Sequence, residues 1–110
     1  MSSWFILMVA IILEVAGTTA MKLSDGFTRP LPSILLFLFY LLSLAALTLA
    51  LKRIEVSIAY AVWAGLGTVL ISTVGFLWFR EPVSPLKIAS ILLIVLGVVG
   101  LYLSGAGQDG

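Results

Sequence analysis

Apolar and polar positions alternate here on the scale of whole segments. Four apolar runs, residues 4–21, 31–51, 57–79 and 86–104, are separated by short polar punctuation. Each run is roughly 20 residues long, which at about 1.5 Å per residue spans about 30 Å, the hydrocarbon thickness of a bilayer. The pattern predicts four transmembrane helices. The first connector, Lys22 to Pro30, mixes charges with Gly26 and Pro30, and reads as an interfacial loop. The second is Lys52-Arg53-Ile54-Glu55 and the third is Arg80-Glu81-Pro82-Val83-Ser84-Pro85. Pro30 and Pro32 suit a helix start, where a missing N–H does no harm. Trp78, Phe79 and Arg80 read as an interfacial anchor, with Lys87 able to snorkel to the surface. Loops this short predict an up-down hairpin-like bundle forming a single domain. Residues 105–110 read as a flexible tail.

Composition agrees with that pattern and narrows the function. The chain of 110 residues is 62% hydrophobic and only 10% charged, with a mean hydropathy of +1.25. No polar portion remains to build a soluble domain, so the chain reads as an integral membrane protein. The first run has no basic leader and carries an acid in its middle, so it reads as a retained span rather than a cleaved signal. A net charge of +1 offers no basic patch to a nucleic acid. With no Cys and no His there is no disulfide framework, thiolate, imidazole metal site or Ser-His triad. No nucleophile–base pair, phosphate loop or cofactor motif is present, which argues against an enzyme. Lys22, Arg29, Arg80 and Lys87 on one side outnumber Lys52 and Arg53 on the other, a slight bias that allows insertion both ways round.

The chemistry centres on Glu14, the one acid within a run. A carboxylate at that depth is costly, and such acids generally face protein or water and have a task. Leu7, Ala10, Glu14, Gly17, Thr18 and Met21 recur at helical spacing and share a face. The plain alternative is an acid that stays protonated or pairs with a base. No basic residue lies in the interior of another run to pair with it. A low-dielectric setting disfavours the ionised form, so the group can hold a proton, and once ionised it attracts a cation. One group that binds either couples the two by competition.

Other runs offer candidate partners. Tyr60, Trp63 and Gly67 share a face, and aromatic faces attract cations by roughly 0.5–2 kcal/mol. Packing or an interfacial belt is the plainer use of these rings. Gly65 and Gly67 mark a bend or a close packing site. Tyr40 and Ser43, on a face with Leu36 and Leu47, suit either substrate contact or a polar bond between helices. Ser90, Gly97 and Ser104, with Gly100 beside them, form a small-residue stripe suited to assembly. Four helices are too few to enclose a drug-sized cavity, so two copies sharing two Glu14 side chains are expected.

At these residues the chain resembles the small multidrug resistance transporters. The stretches that carry the resemblance are Glu14-Val15-Ala16-Gly17-Thr18-Thr19-Ala20-Met21-Lys22, Ser24-Asp25-Gly26-Phe27-Thr28-Arg29, and Ile58-Ala59-Tyr60-Ala61-Val62-Trp63-Ala64-Gly65-Leu66-Gly67. The resemblance implies an antiparallel, dual-topology homodimer in the bacterial inner membrane that exchanges lipophilic cations for protons by alternating access. It implies that Glu14 is the shared proton and substrate site. Tyr60 and Trp63 match the family's binding aromatics, and Tyr40 and Ser43 its second-span pocket. Gly65 and Gly67 match its third-span kink, and Ser90 and Gly97 fall in its fourth-span dimer stripe. Three departures stand out. Ser90 replaces a common glycine, Ala45 a Trp of some multidrug members, and Ala16 the Trp that precedes Gly17 in the guanidinium branch. The last favours the quaternary-ammonium branch. A guanidinium or polyamine exporter, a heterodimer of related subunits, and a non-transporting assembly subunit are the alternatives.

Overall fold

A computed structural model describes residues 2–105. It contains four helices: α1 (Ser3–Leu23), α2 (Pro30–Ala50), α3 (Val56–Leu77) and α4 (Pro85–Gly105). All four are long and apolar enough to cross a membrane. They differ from the expected spans by only a few residues, and each difference has a local cause. The Ser2 side chain accepts a hydrogen bond from Trp4 N–H, which sets the start of α1. α1 continues to Leu23 because Ser24 N–H still reaches Ala20 O at 2.8 Å. α2 begins at Pro30 itself, the first helical position after the extended Arg29. α3 stops at Leu77, because the chain then folds back: Phe79 N–H reaches Val74 O and Glu81 N–H reaches Gly75 O at 3.0 Å. Arg80 makes that reversal with a φ of 55°, in the left-handed region. α4 runs on to Gly105, and the rest of the expected tail lies outside the described residues.

The first loop is organised around Ser24, which is buried. Its hydroxyl donates to Met21 O at 2.7 Å and accepts from Phe27 N–H, while its carbonyl accepts from Thr28 and Arg29 N–H. Asp25, Gly26 and Phe27 all take positive φ to make that turn possible.

The expected bundle is flatter than a closed one. The Cα trace measures 44 × 34 × 18 Å, a slab rather than a cylinder. α1 packs along α2, and α3 contacts both α1 and α4. α4 meets α1 at one pair of rings, where Tyr102 sits edge-on to Trp4 at 4.8 Å. The core joins Leu7, Ala10 and Ile11 of α1 to Leu47 and Ala50 of α2, Ile54, and Ile58, Ala59 and Val62 of α3. α4 contributes Val98 to it. Leucines on the outer faces of α2 and α4, such as Leu41 and Leu93, stay exposed for lipid or another chain.

Candidate functional site

α1 carries Glu14 half-buried on the side that meets α3. There α3 presents Gly67, whose missing side chain makes room for the acid. A Cβ at that position would lie 3.0 Å from Glu14 Oε2. The other oxygen, Oε1, accepts a hydrogen bond from Thr18 Oγ1 at 3.0 Å, one turn along the same helix. Thr18 also bonds the hydroxyl of Tyr40 on α2. Thr18 has a single O–H, which it gives to Glu14, so Tyr40 is the donor in the second bond. The result is a directed relay, Tyr40 to Thr18 to Glu14, that fixes one carboxylate oxygen. Gly17 lets the two helices approach closely enough for it. A Cβ there would press to 3.3 Å against Phe39 Cβ and the Tyr40 ring.

Glu14 faces a groove of about 220 Å³ lined by Trp63, Ala64, Gly67, Thr68 and Ile71 of α3. No basic side chain lines it. Trp63 is half-buried, and its Nε1–H is buried with no hydrogen-bond partner among the described residues. Tyr60 packs edge-on against Trp63, with ring centroids 5.3 Å apart, and is itself 58% exposed. It flanks the groove and is not one of its walls.

The structure therefore brings together Glu14, Gly17, Thr18, Tyr40, Trp63 and Gly67, with Tyr60 beside them. It places Leu7, Ala10 and Ser43 elsewhere. All three are fully buried in the protomer, and Ser43 Oγ donates to Ala10 O at 2.7 Å. A bond between helices is one of the two uses that the sequence left open for Ser43. Gly65 and Gly67 lie in one uninterrupted helix, and both act as close-approach points. A side chain at Gly65 would overlap Val98 of α4, as one at Gly67 would crowd Glu14. Ser90 and Gly97 lie exposed on α4; Ser90 bonds its own helix at Leu86 O, and nothing lies within 4 Å of a Cβ at Gly97. Met21 is exposed at the end of α1.

Thr68 and Ile71 are groove residues that the sequence reading passed over. They continue the stripe from Tyr60 and Trp63 at helical spacing, so extending that period past Gly67 would have found them.

Four apolar helices holding one acid in mid-span against a glycine define a small multi-pass membrane protein with a polar site at bilayer depth. The chain belongs to the small multidrug resistance family, whose profile, described as Small Multidrug Resistance protein, matches residues 2–94. It is 59% identical over 101 residues to the uncharacterized membrane protein YvaE of Bacillus subtilis, covering 92% of this chain and 85% of that one. It is 41% identical over 102 residues to the guanidinium exporter of Escherichia coli K12, covering 93% and 97%. It is also 41% identical over 103 residues to the multidrug resistance protein EbrA of Bacillus licheniformis, covering 94% and 98%. With its four spans, membership in this transporter family makes it a multi-pass cell-membrane protein.

Proposed function

We propose that this protein exports organic cations in exchange for protons, with Glu14 as the group for which the two compete. The observation that carries the reading is the setting of that carboxylate. It is held by Thr18, seated against Gly67, and faces a groove that supplies no positive charge of its own. A proton on Glu14 neutralises it, and so does a bound cation. Arrival of the cation therefore expels the proton, and return of the proton expels the cation. Trp63 supplies an aromatic wall beside the acid, and Tyr60 a second ring that can close over a ligand.

The working unit in this reading is an antiparallel homodimer. One protomer's groove of about 220 Å³ falls short of the roughly 300–1,000 Å³ typical of drug-sized sites. Two grooves facing one another double that space and put two Glu14 side chains in one chamber. The exposed apolar face of α4, with its open Gly97, is the surface offered to the second copy.

For substrate class, an aromatic and aliphatic groove with few polar atoms suits hydrophobic cations, quaternary ammonium compounds among them. Guanidinium is the second reading. The relative named as a guanidinium exporter is as similar as the one named for multidrug resistance, and Thr68, whose hydroxyl donates to Ala64 O, keeps lone pairs free for a guanidinium N–H.

Proton release from purified protein tests both. Tetraphenylphosphonium or guanidinium is added at mildly alkaline pH in weak buffer, and the protons released are counted. Each true substrate releases protons, its affinity weakens as the solution is acidified, and Glu14→Gln abolishes the release. Cation binding without proton release would refute the exchange. No cation binding in either form, with altered self-association in Glu14→Gln, would show an assembly subunit instead.

A further inference from the structure

We propose that Glu81 is an outer carboxylate of the Glu14 site, a charge at the mouth that lets cations pass two lysines; this rests on the cation–proton exchange reading above. α3 carries a second glycine about two turns beyond Gly67, and it too seats an acid. The Glu81 carboxylate lies directly on Gly75, where any Cβ would overlap it. The left-handed turn at Arg80 and the bond from Glu81 N–H to Gly75 O point the chain back onto the helix and fix it there.

The cavities beside the two acids are neighbours that share lining residues. A cavity of about 220 Å³ lined by Thr18, Ile71, Ser72 and Glu81 meets the Glu14 groove at Ile71. A larger one, about 470 Å³ between α3 and α4, meets that groove at Thr68 and also ends at Glu81. Between Glu14 and the α3–α4 loop, these cavities are lined by the hydroxyl-bearing Thr18, Thr68 and Ser72, and we take them as the route.

Positive charges flank that route. Lys22 of α1 lines the smaller cavity, its ammonium 5.9 Å from the Phe79 ring centroid. Lys87 of α4 lines the larger one and donates to Pro82 O at 2.7 Å. Arg80 adjoins Glu81 in the turn. Without Glu81 the charged side chains that line these two cavities are both lysines, with Asp25 set off in the neighbouring cavity of the first loop, and they repel an incoming or departing cation. With it, a cation finds one anionic contact before it reaches Glu14. Glu81 sets how fast cations come and go, and Glu14 sets how tightly they are held.

The test uses the full chain in liposomes with tetraphenylphosphonium as the probe, following initial uptake at subsaturating concentration. Glu81→Gln lowers the rate at low ionic strength by on the order of tenfold, as charge at a narrow mouth alters encounter rates. High salt restores most of it by screening the lysines. Equilibrium affinity and protons released per cation stay within about twofold of the parent, because a positive mouth slows entry and exit alike. Gly75→Ala, which needs only a flexible carboxylate to move aside, reproduces the defect with Glu81 present. Adding Lys22→Met to Glu81→Gln recovers the rate.

A parental rate in Glu81→Gln at low salt would overturn the proposal. So would a loss of affinity as large as the loss of rate, which marks a structural role, or a defect that salt and Lys22→Met leave untouched. Failure of the exchange reading looks different: the parent itself then releases no protons, and Glu14→Gln matches it.

Discussion

The α1–α2 pair and α4 are built from much the same apolar residues and end in opposite states. α1 and α2 are finished against one another: Leu7, Ala10, Ile11, Leu36, Ser43, Leu47 and Ala50 are buried, and a hydroxyl crosses the seam. Of the described residues of α4, Val98 is the one buried, while Leu92, Leu93, Leu96 and Leu103 stand exposed. Apolarity cannot sort these helices, since lipid is as apolar as leucine. Small residues and matching shapes do. Gly17 brings α1 onto α2, and Gly65 admits Val98 at the point where α4 docks on α3. Glu14 lies at the border of the two regimes, on a helix anchored to α2 but facing α3. A fixed acid between a closely packed helix pair and a largely exposed α4 suits the cation–proton exchange proposed above.

The largest effect is expected where that docking is tightest. Gly65→Val forces a branched side chain into Val98, and overpacking of this kind costs about 1–3 kcal/mol. Val98 is the one described residue that α4 buries, so the substitution should loosen α4 from α3 and abolish transport while leaving α1 and α2 paired. Detergent-titrated unfolding, combined with a crosslink between α3 and α4, checks this. Retained stability and an unchanged crosslink would mean that α4 does not depend on that contact, and the contrast between the two regions would lose its basis.

How much of this was legible beforehand follows the same division. Helix number and approximate ends were plain, because bilayer thickness imposes a run length and polar punctuation ends it. Glu14 was plain because acids in such runs are rare. Which flank of a shared face turns to which neighbour was not legible. Leu7 and Ala10 share the stripe of Glu14, yet both are fully buried in the core while the acid is half-buried against Gly67 of α3. A stripe on a helix is broad enough to serve two partners, and periodicity does not divide it. Ser43 was ambiguous for the same reason: its bond to Ala10 O depends on which neighbour its face meets. Glu81 was read as part of a turn because its position depends on the left-handed φ of Arg80, a conformation that no residue type in that stretch announces.

The next prediction probes the border itself. Thr18→Val keeps the shape of the side chain and removes the hydroxyl that connects Tyr40 to Glu14. A hydrogen bond to a charged group contributes about 1.5–3 kcal/mol. Cation affinity should therefore fall by on the order of tenfold, measured by equilibrium binding at fixed pH, with unfolding resistance nearly unchanged. Tyr40→Phe should cost less, since Thr18 can still donate to the acid. If Thr18→Val destabilised the fold and left affinity alone, the relay would belong to the seam rather than to the site.

The smallest effect is expected deep in the finished pair. Ser43→Ala deletes a hydroxyl bond across the α1–α2 seam that is 2.7 Å long and fully buried, away from the Tyr40–Thr18 bond. The partner carbonyl of Ala10 is not left bare, because a helical carbonyl at that position also accepts from the N–H of residue 14. Hydrogen bonds between membrane helices average about 0.6 kcal/mol and reach about 1.7 at most. The variant should lose stability in that range and keep its cation affinity within about twofold, because Ser43 is fully buried and lines none of the cavities described above. That outcome separates the residues that build the seam from those that meet the ligand. A loss of affinity with stability intact would instead put Ser43 in the chamber, and would require α1 and α2 to part there during transport, so that the region treated as rigid would be the one that moves.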